Sequence, residues 1–277
     1  IKIQSVTSKL MAKGVGYIKI KNFQSNTYDD LDMHLKELKS KNAKQLKGLV
    51  LDLRNNPGGL LDQAILISDR FIEQGALVIT VGEGNRTREV KSAHFSGTET
   101  DYPVVVLVNA GSASASEIVA GAIKNQNRGI VLGQQTFGKG SVQVLYDFKD
   151  DSALKLTIAQ YLTPGDISIQ SVGIEPDIEV WSTTVSDETV NLFWNNETPR
   201  EKDLEQHLIR HHTSTQSKEM TRQRIVHLMP EEPEKNPEEE SGMDDFTSDF
   251  EIELAHQILA DTKVTKRSDI LKQSQVL

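Results

Sequence analysis

Two apolar runs, each passed through a turn of small residues into a helical pattern, constrain this chain more than any other feature. In the first, Gly48-Leu49-Val50-Leu51-Asp52-Leu53 leads through Asn55-Asn56-Pro57-Gly58-Gly59 into Leu60 to Ile72, where Leu61, Ala64, Ile65, Ile67, Ser68 and Phe71 share one side. In the second, Val104-Val105-Val106-Leu107-Val108 turns at Asn109-Ala110-Gly111 and enters Ser112-Ala113-Ser114-Ala115-Ser116-Glu117 ahead of Ile118 to Ile123. Five consecutive branched apolar residues suit a strand covered on both faces, and that pattern belongs to parallel sheets flanked by helices. Repeated strand–turn–helix units therefore predict an α/β core with a mostly parallel sheet, in which ligands gather at the carboxyl ends of the strands.

The turns at those ends carry chemistry. Small residues leave the first amides of the following helix unobstructed, and amides backed by a positive helix terminus stabilise an anion. A serine of the second turn facing a cleft would lie beside them, and spacing alone does not choose among Ser112, Ser114 and Ser116. A base is missing locally. The candidate stands in Gly133-Gln134-Gln135-Thr136-Phe137-Gly138-Lys139-Gly140-Ser141-Val142-Gln143, where Lys139 is flanked by glycines. Burial disfavours an ammonium, so an enclosed Lys139 acts as a neutral base toward a serine. On an extended segment of period two, positions 139 and 143 share a face, which predicts that the Gln143 amide oxygen orients Lys139.

Together, these segments closely resemble the carboxyl-terminal processing proteases, also called tail-specific proteases, of the S41 family of serine peptidases. The resemblance rests on Ser114-Ala115-Ser116-Glu117, on Thr136 to Gly140 with Gln143, on Leu51 to Leu60, and on Gly173-Ile174-Glu175-Pro176-Asp177-Ile178-Glu179-Val180. It implies Ser114 as nucleophile, Lys139 as general base, Gln143 as its orienting partner, and the amides of Gly59 and Ala115 as the oxyanion hole. It implies a crotonase/ClpP-like α/β core over residues 1–180 and a helical, partly disordered acidic tail over 181–277. It further implies cleavage of proteins near their carboxyl termini, no cofactor or metal, and export to a bacterial periplasm or cell envelope. A PDZ domain would precede Ile1, so the chain reads as a fragment. The competing readings are a non-catalytic peptide-binding module on the same fold and another Ser–Lys hydrolase such as a signal-peptide peptidase. Taken singly, each motif also has an ordinary explanation: a serine N-cap, a solvated lysine turn, a glycine-asparagine strand-to-helix turn.

Composition bounds what remains. With 37% hydrophobic residues the 277-residue chain has material for one large core or two modest ones, and no run approaches the length that crosses a bilayer. Zero cysteines exclude thiol nucleophiles, disulfides and thiolate metal sites. The net charge of −9 is local. Glu231 to Glu253 holds eleven acids against Lys235 alone, so that segment carries −10 and the remaining residues together carry +1. No basic patch emerges and aromatics are 5%, which argues against a nucleic-acid partner and leaves protein or peptide substrates. A homo-oligomer, or an adaptor engaging through the tail, is the other partner class.

Elsewhere the pattern predicts strands at Ile1 to Val6, Val15 to Ile20, Leu77 to Val81 and Ala153 to Ala159, and a helix over Asp29 to Lys39. Gly82 to Thr100 reads as a polar loop or hairpin, and Gly173 to Val180 as a turn and edge strand. Pro230 to Asp245 is too acidic and apolar-poor to pack, and Thr262 to Leu277 reads as frayed. His34 reads as a packing residue. His207, His211 and His212 read as a solvated face rather than a metal site, and a Ser-His-Asp triad on His94 would leave Lys139 unexplained.

Overall fold

The computed structural model describes residues 4–43, 45–82, 86–150, 152–185, 199–204, 223–230, 249–262 and 264–274. Its frame is a seven-stranded sheet in which β1 (Val6–Leu10), β2 (Val15–Ile20), β3 (Gly48–Asp52), β6 (Val104–Val108), β7 (Ile130–Gly133), β11 (Ile178–Val185) and β12 (Gln223–Pro230) lie side by side in that order. Every neighbouring pair is parallel except β1 with β2. A second, antiparallel sheet joins β4 (Ala76–Gly82), β5 (Arg88–Ser92), β9 (Ala153–Thr163) and β10 (Ile167–Ser168), with β8 (Ser141–Asp147) hairpinned onto β9.

The apolar run of β6 divides as a twofold side-chain period requires. Val104, Val106 and Val108 join the core beneath α1 (Thr27–Lys41), α2 (Leu61–Asp69) and α3 (Ala115–Asn125), which contribute residues such as Leu35, Ala64 and Val119. Val105 and Leu107 join the opposite core, where Ile252, Ala255, Ile258 and Leu259 of α4 (Phe250–Asp261) and Ile270 of α5 (Arg267–Ser274) cover the sheet. Burying each large side chain of α4 contributes roughly 1.5–3 kcal/mol. An ion network fixes the same helix: Arg54 Nη2 lies 2.8 Å from both Asp52 and Asp249, and Nη1 2.8 Å from Glu251. Asp249 also caps α4 by accepting from the amides of Glu251 and Ile252.

Four expectations change. The first strand starts at Val6 instead of ending there, because its pairing runs from Val6 opposite Ile20 to Leu10 opposite Gly16, and Ile1 to Ile3 lie outside the described residues. The Gly173 to Val180 segment does not make an edge: β11 pairs with β7 on one side and over its full length with β12 on the other. That last strand was not anticipated, since Ile225, Val226, Leu228 and Met229 blur the alternation. The segment 264–274 is docked and not frayed, with Ile270 fully buried and Arg267 paired with Asp177. The acidic stretch 231–248 and the histidines His207, His211 and His212 lie outside the described residues.

Candidate active site

The turns after β3 and β6 sit against each other at the carboxyl ends of their parallel strands. Gly58 adopts φ 101°, and a Cβ there would come 2.9 Å from Ser114 Cβ and 2.8 Å from the Ala113 carbonyl, so only glycine allows this approach. Gly59 adopts φ 145°, and a Cβ there would lie 2.2 Å from the Phe23 carbonyl oxygen. Phe23 holds the turn from both sides: its amide donates to Gly58 O at 3.0 Å and its carbonyl accepts from Leu60 N at 2.9 Å. The Gly59 amide between them has no acceptor among the described residues, and neither has the amide of Ala115, the first residue of α3. Each of the two facing turns thus ends in one unengaged donor.

The three serines that spacing could not separate have different surroundings. Ser112 is buried, donating to Leu53 O at 2.8 Å while accepting from Asn109 N at 3.0 Å. Ser116 is buried and donates to Asn56 O at 2.9 Å. Both hydroxyls stitch one turn to the other. Ser114 is partly exposed and takes the N-cap position of α3 at φ 54°, ψ −112°. A non-glycine residue held there costs on the order of 1–3 kcal/mol and is found where the surroundings enforce it.

The enforcing group is Glu117, fully buried one turn into α3. Its Oε2 accepts from the amides of Ser114 at 2.8 Å and Lys139 at 2.9 Å. Its Oε1 accepts from the Thr136 hydroxyl at 2.6 Å and the Gly138 amide at 2.8 Å. Burial pushes this carboxyl up to about 7, against the lowering effect of Thr136 and the three amides. Phe137 N donates to Ser112 O at 3.0 Å, so the lysine loop is joined to the serine turn at two places. Among the described residues the Lys139 ammonium has no partner, and it makes no hydrogen bond to Ser114.

Gln143 does not meet Lys139. It is exposed, and its amide lies 3.4 Å from Thr157 Oγ1 across the β8–β9 hairpin. The strand begins only at Ser141, and a register shift between Val142 and Gln143 breaks the twofold alternation that placed 139 and 143 on one face. His94 is 79% exposed and pairs with Asp69 at 3.2 Å, not with a serine. His34 is buried on Ser8 at 2.8 Å, as a packing residue should be. No group of three or more potential metal ligands occurs among the described residues. A cavity of about 380 Å³ opens beside the Arg54 pairs, lined by Lys19, Asn55, Asn109, Gln134 and Phe250 among others, and reaches neither Ser114 nor Lys139.

Sequence reasoning missed Glu117 as a functional candidate. Its only local signal was an acid three residues after an N-cap serine, which reads as a capping box.

A model of the family described as peptidase family S41 matches residues 14–180. A carboxy-terminal-processing protease of Bartonella bacilliformis is 44% identical over 181 residues, covering 65% of this chain and 42% of that protein. A chloroplastic C-terminal processing peptidase of Tetradesmus obliquus is 38% identical, covering 60% of this chain and 35% of that one. The chain therefore spans about two fifths of the length of these relatives. Among solved structures, a photosystem II D1 C-terminal processing protease superposes with a TM-score of 0.58 at 34% identity, over 65% of this chain and 49% of that one.

Proposed function

Because this chain belongs to peptidase family S41, we propose that it is the catalytic portion of a serine endopeptidase that cleaves proteins near their carboxyl termini through a Ser114–Lys139 dyad. The observation that carries this reading is one clasp: Glu117 ties the amide of Ser114 and the amide of Lys139 to a single carboxylate oxygen, beside the unengaged amides of Gly59 and Ala115. In this reading Ser114 Oγ attacks the scissile carbonyl while Lys139 takes its proton, and the amides of Gly59 and Ala115 hold the charge that develops on the carbonyl oxygen. Lys139 returns the proton to the leaving amine. It then deprotonates the water that attacks the acyl ester and passes that proton to Ser114 Oγ as the acyl bond breaks, which restores both groups.

Gln143 takes up its orienting role on leaving Thr157, a long bond of 3.4 Å on an exposed hairpin that costs little to break. Catalytic hydrogen bonds often close only when substrate is bound, which accounts for the open Ser114–Lys139 pair. That open pair is also what favours the second reading, a peptide-binding module without turnover. We propose a bacterial periplasm or envelope as its location, from the motifs it shares with exported tail-specific proteases; no helix among the described residues is long and apolar enough to cross a membrane.

The test is to incubate an unstructured protein with this chain and with Ser114→Ala, then compare fragments by mass spectrometry. Fragments that trim inward from the carboxyl end, present with the first and absent with the second, are expected. Equal cleavage by the two removes Ser114 from the mechanism.

A further inference from the structure

We propose that Glu117 is a positioning residue for this reaction, setting the separation of nucleophile and base by holding the backbone amides of Ser114 and Lys139 on one carboxylate oxygen. The proposal rests on the Ser114–Lys139 reading but makes a claim that can fail separately from it.

The geometry is specific in what it demands. All four partners of Glu117 donate: the amides of Ser114, Gly138 and Lys139, and the hydroxyl of Thr136. They come from two segments, the serine turn and the lysine loop, that are separated in sequence by about twenty residues and are otherwise linked here through Phe137 N on Ser112 O. A carboxylate offers about four lone-pair sites on two oxygens, which is the number required. Any group in its place that carries a proton sets donor against donor and releases at least one segment. Thr136 Oγ1 already accepts from Ile174 N at 2.6 Å, so receiving a proton from Glu117 would take its second lone pair and force its own hydrogen off the carboxyl onto another acceptor.

This gives the clasp two states. Ionised, it draws both segments together. Protonated, it has one oxygen that must donate, and among its described hydrogen-bond partners the side-chain oxygen is that of Thr136. The cation whose field reaches it is Arg200, which donates to the carbonyls of Thr136 at 2.9 Å and Val172 at 2.6 Å from the segment packed outside that loop. Arg200 is in turn opposed by Asp203 and Glu175. None of these charges touches the carboxylate directly, so burial dominates and ionisation of Glu117 is completed only above neutrality. Activity should therefore fall on the acid side as the clasp opens, independently of the proton on the base.

The experiment compares wild-type, Glu117→Gln and Glu117→Asp in steady-state cleavage of a quenched peptide across pH 5.5–9.5, with amide shifts of Ser114, Gly138 and Lys139 followed by NMR over the same range. Glutamine keeps the reach but loses two of the acceptor sites, and aspartate keeps the charge but loses the reach. Both should lower kcat by about 100-fold with KM changed less than about threefold, because the geometry of attack and not substrate binding is altered. The three wild-type amides should titrate together with a midpoint near 7, and that inflection should vanish from the rate profile of Glu117→Gln. If Glu117→Gln does not fold, Thr136→Val serves instead: removing one donor should move the wild-type inflection to higher pH. Unchanged kcat in Glu117→Gln, or amides of Ser114 and Lys139 that do not titrate together, overturns the clasp. Wild-type cleavage that survives Ser114→Ala overturns the dyad instead, and the amide titration still reports on the clasp.

Discussion

Replacing Arg54 by methionine should cost this protein about 4 kcal/mol of stability, and the structure shows where that number comes from. Arg54 Nη atoms lie within 2.8 Å of Asp52, Asp249 and Glu251. Asp52 is fully buried, and after the change it would keep only the Tyr17 hydroxyl at 2.8 Å and the amide of residue 54 at 2.9 Å. A buried charge stripped of its ionic partner costs about 3–5 kcal/mol. Asp249 is 31% exposed on its side chain and adds little once solvent screens it. Methionine preserves most of the packing of the arginine stem, so the loss reports charge and not a cavity.

The assay is urea unfolding of wild-type, Arg54→Met, Asp52→Asn and the double variant. Asp52→Asn leaves Arg54 with two acids and should cost about 1–2 kcal/mol. The double variant has no stranded charge at position 52, so it should be more stable than the sum of the singles by about 1–3 kcal/mol. A loss below about 1 kcal/mol in Arg54→Met, or singles that add within about 0.5 kcal/mol, refutes the reasoning, because the network would then be solvated. The same result decides whether α4 steadies the strand end that leads into the turn carrying Gly59.

Four other outcomes are expected. Lys139→Arg should be inactive at every accessible pH in a peptide-cleavage assay, because a guanidinium does not surrender its proton. Gly59→Ala should lower kcat by about 100-fold or more, since its Cβ would meet the Phe23 carbonyl at 2.2 Å and turn the neighbouring amide away; kcat within about threefold of wild-type would remove that amide from the oxyanion site. Ser112→Ala should destabilise by about 1–3 kcal/mol in urea, because it strands the Asn109 amide and leaves the Leu53 carbonyl with the Asn56 amide alone, while keeping measurable cleavage. Glu117 has a folded value of about 7, raised by burial from an ordinary 4.5, so its stabilising contribution is complete below pH 4.5 and is lost as pH rises toward 7. Wild-type stability measured relative to Glu117→Gln should therefore drop by about 3 kcal/mol across that window and level off above it, and a flat difference would show that the carboxyl is not desolvated.

The parallel core was legible because its evidence is local. Val104 to Val108 is apolar at every position, which only a strand covered on both faces satisfies, and the small residues after β3 and β6 mark where those strands hand over to helices. Order and spacing of the motifs likewise identified the family, and with it Ser114, Lys139, Gly59 and Ala115 as candidates. What lay beyond reach depended on partners distant in sequence. Pairing with β12 turned the supposed edge at Ile178 into an interior strand, and Asp177 captured Arg267 and so docked a helix whose own sequence is polar. A register shift between Val142 and Gln143 breaks the alternation that put 139 and 143 on one face, and no period-two argument can foresee where a ladder will slip. The choice among three serines was also tertiary: Ser112 and Ser116 are occupied by carbonyls of a turn more than fifty residues upstream, leaving Ser114 as the partly exposed one. Glu117 shows the division most plainly. From the sequence it caps a helix, but its four donors are assembled only when the loop at 136–139 folds back onto α3, and a carboxylate acquires its role from what surrounds it.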